Sequence, residues 1–331
     1  MKIIEVIADL GYLDTILGIA EQQAVADHWQ SAVGEDGRCA IRLLVNPDYS
    51  QAILDSLQSA LGGSESARII VTPVELSLPR PPETDNEEDK LKRKTALSRE
   101  ELYNTVSKSS QLDGRFLLLV FLSTVVVMVG LLEDNVAVVI GAMVIAPFLG
   151  PNIALALGSS LGDNKLIWQA LKTNASGVTL TLLLSIALGW WWPYESSSHE
   201  LLSRTDVGLD SIALALASGA AAVISMTTGL SGVLVGVMVA VALLPPAATL
   251  GFMIGSGHYD LATGAALLLA VNVVSVNLAA KLGFLFLGIK PRSWLDQQRA
   301  RQSVTSYIIV WIISLVALGS LIYIRGQVDL P

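Results

Sequence analysis

From residue 114 onward, apolar windows of about 20 residues alternate with short polar breaks, the length an α-helix needs to cross the hydrocarbon core of a bilayer. The windows fall at residues 114–132, 136–161, 174–193, 209–228, 231–256, 260–288 and 304–324 and predict seven transmembrane helices. Trp190, Trp191 and Trp192, followed by Pro193 and Tyr194, close the third window. At a span end this cluster predicts an interfacial aromatic belt, with the lining of a binding pocket as the alternative.

Before residue 79 the periods are shorter. Lys2–Ala8, Ala26–Ser31, Cys39–Val45 and Ala67–Thr72 read as strands, and Gly34-Glu35-Asp36-Gly37 reads as a hairpin turn. Leu13–Gln23 and Ser50–Leu61 have helical spacing, the second stopped by Gly62 and Gly63. The order β-α-β-β-α-β predicts a ferredoxin-like α+β domain over residues 1–78. Pro79 to Pro82 and the charged run Glu83–Lys94 predict a stiff, then solvated, linker. Ser98 and Glu101 have capping-box spacing, so a juxtamembrane helix is expected within 79–112. A six-helix core would then occupy 113–288, with a loop and terminal helix over 289–331.

Composition agrees with this division. The 331 residues are 52% hydrophobic and 15% charged, against about 25% charged in a soluble domain. Mean hydropathy is +0.58 and most charge precedes Arg115. A net charge of −8 argues against a nucleic-acid partner. Cys39 cannot form an internal disulfide and is expected in a strand's core. Met1–Asp9 is too short and strand-like for a signal peptide, which predicts a cytoplasmic N-terminal domain. Lys108, Arg115, Lys165, Lys172, Lys290, Arg292, Arg299 and Arg301 then face inward, whereas Arg204 and Arg325 face outward. That asymmetry predicts an inner-membrane protein with its C-terminus outside.

The apolar part contains a weak duplication. Gly141-Ala-Met-Val-Ile-Ala-Pro-Phe-Leu-Gly-Pro151 aligns with Gly236-Val-Met-Val-Ala-Val-Ala-Leu-Leu-Pro-Pro246 at a constant offset of 95 residues (236 − 141). Each copy lies in the middle span of a three-span block. Three is odd, so the blocks would insert with opposite orientation, as in the 3+3 inverted repeats of secondary transporters. Pro147, Pro151, Pro245 and Pro246 each remove a helical donor and predict two broken helices whose free backbone groups could meet a solute. Kinks that only serve packing are the alternative, and the small residues Gly141, Ala142, Gly236, Ala240 and Ala242 suit close helix contacts.

The same two motifs, extended by Asn152 and Val235, resemble those of the prokaryotic "uncharacterised hydrophobic domain" family, one of the domain-of-unknown-function families. The resemblance covers residues 114–290 and implies a membrane core, often preceded by a soluble domain. Ala146 stands where a serine is common in that family. No substrate is implied.

Candidate chemistry is sparse. His28, His199 and His258 have no acidic partner at metal-ligand spacing, and no phosphate-loop motif occurs, so neither an enzyme nor a cofactor is expected. Polar residues inside spans are the remaining signal, because lipid penalises them. The proposed solute site comprises Pro147, Gly150, Pro151, Asn152, Pro245, Pro246, Thr249, Asn272, Ser275 and Lys281. Asn174 and Asn272 occupy the span that follows each motif, and Asn277 precedes Lys281 by one helical turn. If the sixth span is shorter, Lys281 snorkels to the cytoplasmic surface. A transporter or channel for a small polar or anionic solute is expected, with a lipid bilayer as surroundings and a homo-oligomer as assembly. A membrane-anchored sensor, whose ferredoxin-like domain binds a metabolite or partner, is the alternative.

Overall fold

The computed structural model describes residues 1–23, 25–46, 49–64, 66–77, 99–192, 198–228, 232–289 and 309–322. It divides into two compact units, Met1–Glu101 and Leu102–Pro331.

In the first unit β1 (Lys2–Asp9) alternates buried and half-buried positions, putting Ile4, Val6 and Ala8 into the core. Helix α1 (Leu13–Gln22) follows, then β2 (Asp27–Gln30), β3 (Arg38–Val45), α2 (Ser50–Leu61) and β4 (Arg68–Pro73). The sheet order is β2-β3-β1-β4, antiparallel at every pairing. That is the split β-α-β-β-α-β arrangement. Ile16 and Ala20 of α1, with Ile53, Leu54, Leu57 and Leu61 of α2, form the helical side of the core, and Cys39 is buried with them. The β2–β3 turn uses Gly37 at φ 76°, where a side chain would strain the backbone. Arg38 hydrogen-bonds Asp36 beside it and lowers the Asp36 carboxyl pKa.

The second unit is helical: α3 (Arg99–Ser109, from Leu102), α4 (Gly114–Leu132), α5 (Val136–Ile145), α6 (Leu149–Leu161), α7 (Asn164–Trp191), the short α8 (His199–Ser203), α9 (Leu209–Thr228), α10 (Gly232–Gly255), α11 (Tyr259–Phe286) and α12 (Ile309–Ile322). Among the described residues, five helices are long and apolar enough to cross a membrane: α4, α7, α9, α10 and α11. The pair α5 and α6, bent by 55°, brings the number to six if it is one span. Of the seventh expected span, only α12 is described, a shorter apolar helix. The 79–98 linker, the Ser98 cap, Pro193, Tyr194 and the basic residues Lys290 to Arg301 lie outside the described residues.

Two findings revise the expected helices. Helix α7 starts at Asn164, ten residues before the apolar window, capped by Asp163, whose carboxylate accepts from the N–H groups of Lys165 and Leu166. More importantly, the two proline motifs behave differently. Ala146, ahead of Pro147, takes the extended conformation (φ −64°, ψ 123°) that a following proline imposes, and α5 ends there. Pro151 sits in the first turn of α6, where its missing N–H has no helical partner to lose. Pro245 and Pro246 lie inside a continuous α10, so the expected second break does not occur.

Helices α10 and α11 form the interior of this unit, and α10 packs on α4, α5, α7, α9 and α11. The α7–α10 crossing is built on glycine. A Cβ at Gly189 would stand 2.3 Å from the Phe252 carbonyl oxygen, and one at Gly255 would stand 2.2 Å from that of Ile186. Gly219 on α9 approaches the Val276 carbonyl of α11 in the same way. Gly141 and Gly236, the expected contact glycines, meet nothing within 4 Å and one leucine methyl at 3.8 Å, respectively.

Candidate functional site

Two polar layers are threaded by α11. The first is a node of three asparagines at the start of α6. Asn152 donates from Nδ2 to the Phe148 carbonyl (2.8 Å) and to Asn174 Oδ1 on α7 (3.1 Å). Its own Oδ1 accepts from Asn277 Nδ2 on α11 at 3.2 Å, and Asn277 donates a second bond to the Val273 carbonyl. Helices α6, α7 and α11 are therefore joined through amides in an apolar interior. Beside the node, Phe148 is completely buried, packs edge-on to Phe116 (ring centroids 6.4 Å apart) and faces Gly177, which anchors the break.

The end of α3 is fastened to the same region. Gln169 donates to the Ser107 carbonyl and to Ser110 Oγ, and Thr173 to the Ser110 carbonyl. Gly150 admits the Ser109 carbonyl, which a Cβ would meet at 2.3 Å. Tyr103 donates to Asp163 at 2.6 Å, and that bond raises its pKa to about 12, so the hydroxyl keeps its proton well above neutrality.

The second layer is the floor of a cavity of about 360 Å³. Its walls come from α9, α10 and α11, and its mouth from α8 and the segment after it. The floor includes Ala242, Pro246 and Asn272. Asn272 is the midpoint of the 28-residue α11, so the cavity reaches half-way along that helix. Here the continuity of α10 has its explanation. Pro246 leaves the Ala242 carbonyl without its helical donor, and Asn272 Nδ2 supplies one at 2.9 Å.

The mouth is positioned by local chemistry. Asp134 turns the α4–α5 corner at φ 54° and accepts the Glu200 N–H at 2.7 Å. The Ser198 hydroxyl caps α8 and donates to the Leu131 carbonyl. These bonds hold Arg204, Asp206 and Asp210 around the opening, and Arg204 pairs with Glu200 at 3.1 Å.

The domain-of-unknown-function family DUF389 matches residues 143–278. The uncharacterised protein MJ0678 of Methanocaldococcus jannaschii is 35% identical over 282 residues, spanning 85% of this chain and 87% of that protein. The chain belongs to the DUF389 family. The DUF389 segment runs from within α5 to within α11 and so contains the break, the asparagine node and the cavity floor, but not Lys281. No solved structure matches this DUF389 protein.

The residues predicted from sequence thus separate into groups. Pro246 and Asn272 line the cavity, and Asn152 centres the node. Gly150 serves the approach of α3, and Pro147 and Pro151 serve the break. Pro245 does not line the cavity, although Val241, whose carbonyl it faces, does. Thr249 and Ser275 are buried away from the cavity, and neither hydroxyl has a hydrogen-bond partner among the described residues. Lys281 is completely buried one turn beyond Asn277, an interior position in place of the snorkelling one expected for a shorter span. Sequence reasoning missed Arg204, Asp206, Asp210 and Ser218. Arg204 and Asp206 belong to a charged loop before the fourth span, whereas Asp210 and Ser218 lie within that span and carried no separate signal.

Proposed function

We propose that this DUF389 protein is a transporter or channel for a small polar solute, with the α9–α11 cavity as its access vestibule. The cavity carries the reading. It descends from a charged mouth to mid-helix depth and ends on Asn272 and the proline-interrupted turn of α10. An interior polar floor of this kind has a penalty in a membrane protein unless something polar uses it. Beyond it, five residues along α11 or about 7.5 Å of helix, the asparagine node and the broken helix close the path. With the N-terminus cytoplasmic, as the Lys and Arg asymmetry favours, the mouth faces outward and the node inward. The two three-helix blocks, α4 to α7 and α9 to α11, then act as the inverted halves, with one broken helix rather than two.

Accessibility tests the vestibule. In a Cys39→Ser background, Ser211→Cys at the half-buried mouth and Asn272→Cys on the floor should react with a membrane-impermeant thiol reagent, and Ser275→Cys, fully buried and not lining the cavity, should resist it. Equal resistance at all three positions would remove the vestibule and the reading with it.

A further inference from the structure

We infer that the cavity selects small organic ammonium ions, a step that rests on the transport reading and names the solute class. Hydrogen-bonding groups on its floor are mainly acceptors. Val241 and Ala242, both lining residues, are the two whose carbonyls face Pro245 and Pro246 instead of amide N–H groups; that of Ala242 already accepts from Asn272, which leaves the Val241 carbonyl as the acceptor freed by the proline pair. Ser218 lines the wall and donates its hydroxyl hydrogen to the Leu214 carbonyl at 2.8 Å, which leaves its oxygen to accept. Asn272 is 6% exposed and uses one N–H on Ala242. Its Oδ1 has no protein partner among the described residues and, with one remaining N–H, is available to the cavity.

The mouth has the matching sign. Asp206 and Asp210 are exposed and form no ion pair among the described residues, whereas the guanidinium of Arg204 pairs with Glu200 through one terminal nitrogen and keeps a buried Nε–H without a partner, so two carboxylates stand against one half-engaged cation. An anion entering would meet two carboxylates and then carbonyl oxygens, each of which repels it. A cation would meet attraction at both levels.

Size decides the kind of cation. A water occupies about 30 Å³, so about 360 Å³ is far more than a bare alkali ion, held by six or more close oxygens, would need. Leu214, Met238 and Leu268 give the walls apolar surface for a carbon skeleton. An ammonium group on the floor with its alkyl body against these side chains uses both features.

The test is calorimetric titration of the purified full-length protein with butylammonium, sodium and butyrate at neutral pH. Butylammonium should bind, and sodium and butyrate should not compete with it. Asp206→Asn/Asp210→Asn, altered only at exposed positions, should weaken it by at least about tenfold, as should Asn272→Leu. Butylammonium binding unchanged in these variants would overturn the inference, as would sodium binding in its place. Butyrate binding that depends on Asn272 would overturn the cation assignment while leaving the transport reading intact. No butylammonium binding would also overturn the inference, and a thiol-inaccessible Asn272→Cys beside it would end the transport reading as well.

Discussion

Valine in place of Gly189 or Gly255 is expected to lower the stability of the helical unit by about 1–3 kcal/mol, or more if the helices cannot separate. Each glycine sits where the α7 and α10 backbones nearly touch, within 2.3 Å and 2.2 Å of a carbonyl oxygen from a notional Cβ. The obstructing atoms are backbone, so no rotamer change relieves the overlap. The helices must move apart, and the neighbours of α10 lose contacts because interiors are packed without slack. Gly141→Val, with nothing within 4 Å, is the matched control. Thermal unfolding in detergent should place both α7–α10 variants well below it. Midpoints equal to that of the control would show that the crossing is not as tight as described.

The second large effect is expected at Asn152. Leucine there removes the bonds to Asn174 and Asn277 and leaves one acceptor and one donor without partners in an apolar interior. Interhelical hydrogen bonds in membrane proteins contribute about 0.6–2 kcal/mol each, so a loss of a few kcal/mol is expected. Because the three asparagines act as one network, the effects should not add. Asn152→Leu/Asn277→Leu should be destabilised less than the two single variants together. Additive losses would mean that the Asn152–Asn277 bond contributes nothing of its own.

Much of the architecture was legible because it follows from local rules. The apolar windows marked the helices of the membrane unit, and the β-α-β-β-α-β order followed from periodicity and turn residues. The end of α5 at Ala146 could be read from the following proline alone. What could not be read depends on partners remote in sequence. Pro245 and Pro246 predicted a break that Asn272, 30 residues away, averts by satisfying Ala242. Lys165, Gln169 and Lys172 kept the first turns of α7 out of the hydropathy window, yet those turns are helical and Gln169 holds the end of α3. Glycine content foretold close helix contacts without saying which face makes them, so Gly141 was expected in place of Gly189 and Gly255. The cavity mouth escaped notice for a similar reason: Asp134 and Ser198 tie α8 to the α4–α5 corner through bonds that no periodicity encodes.

Solute flux is the most direct test that a polar solute crosses through the α9–α11 cavity. Proteoliposomes loaded with a mixture of small amines, neutral polar metabolites, organic acids and inorganic ions would be followed by mass spectrometry of the external medium. At least one solute should leave faster than from protein-free liposomes, and Asn272→Leu should slow it by about tenfold or more while the protein still inserts. Release no faster than from empty liposomes, or equal release through the variant, would contradict the account.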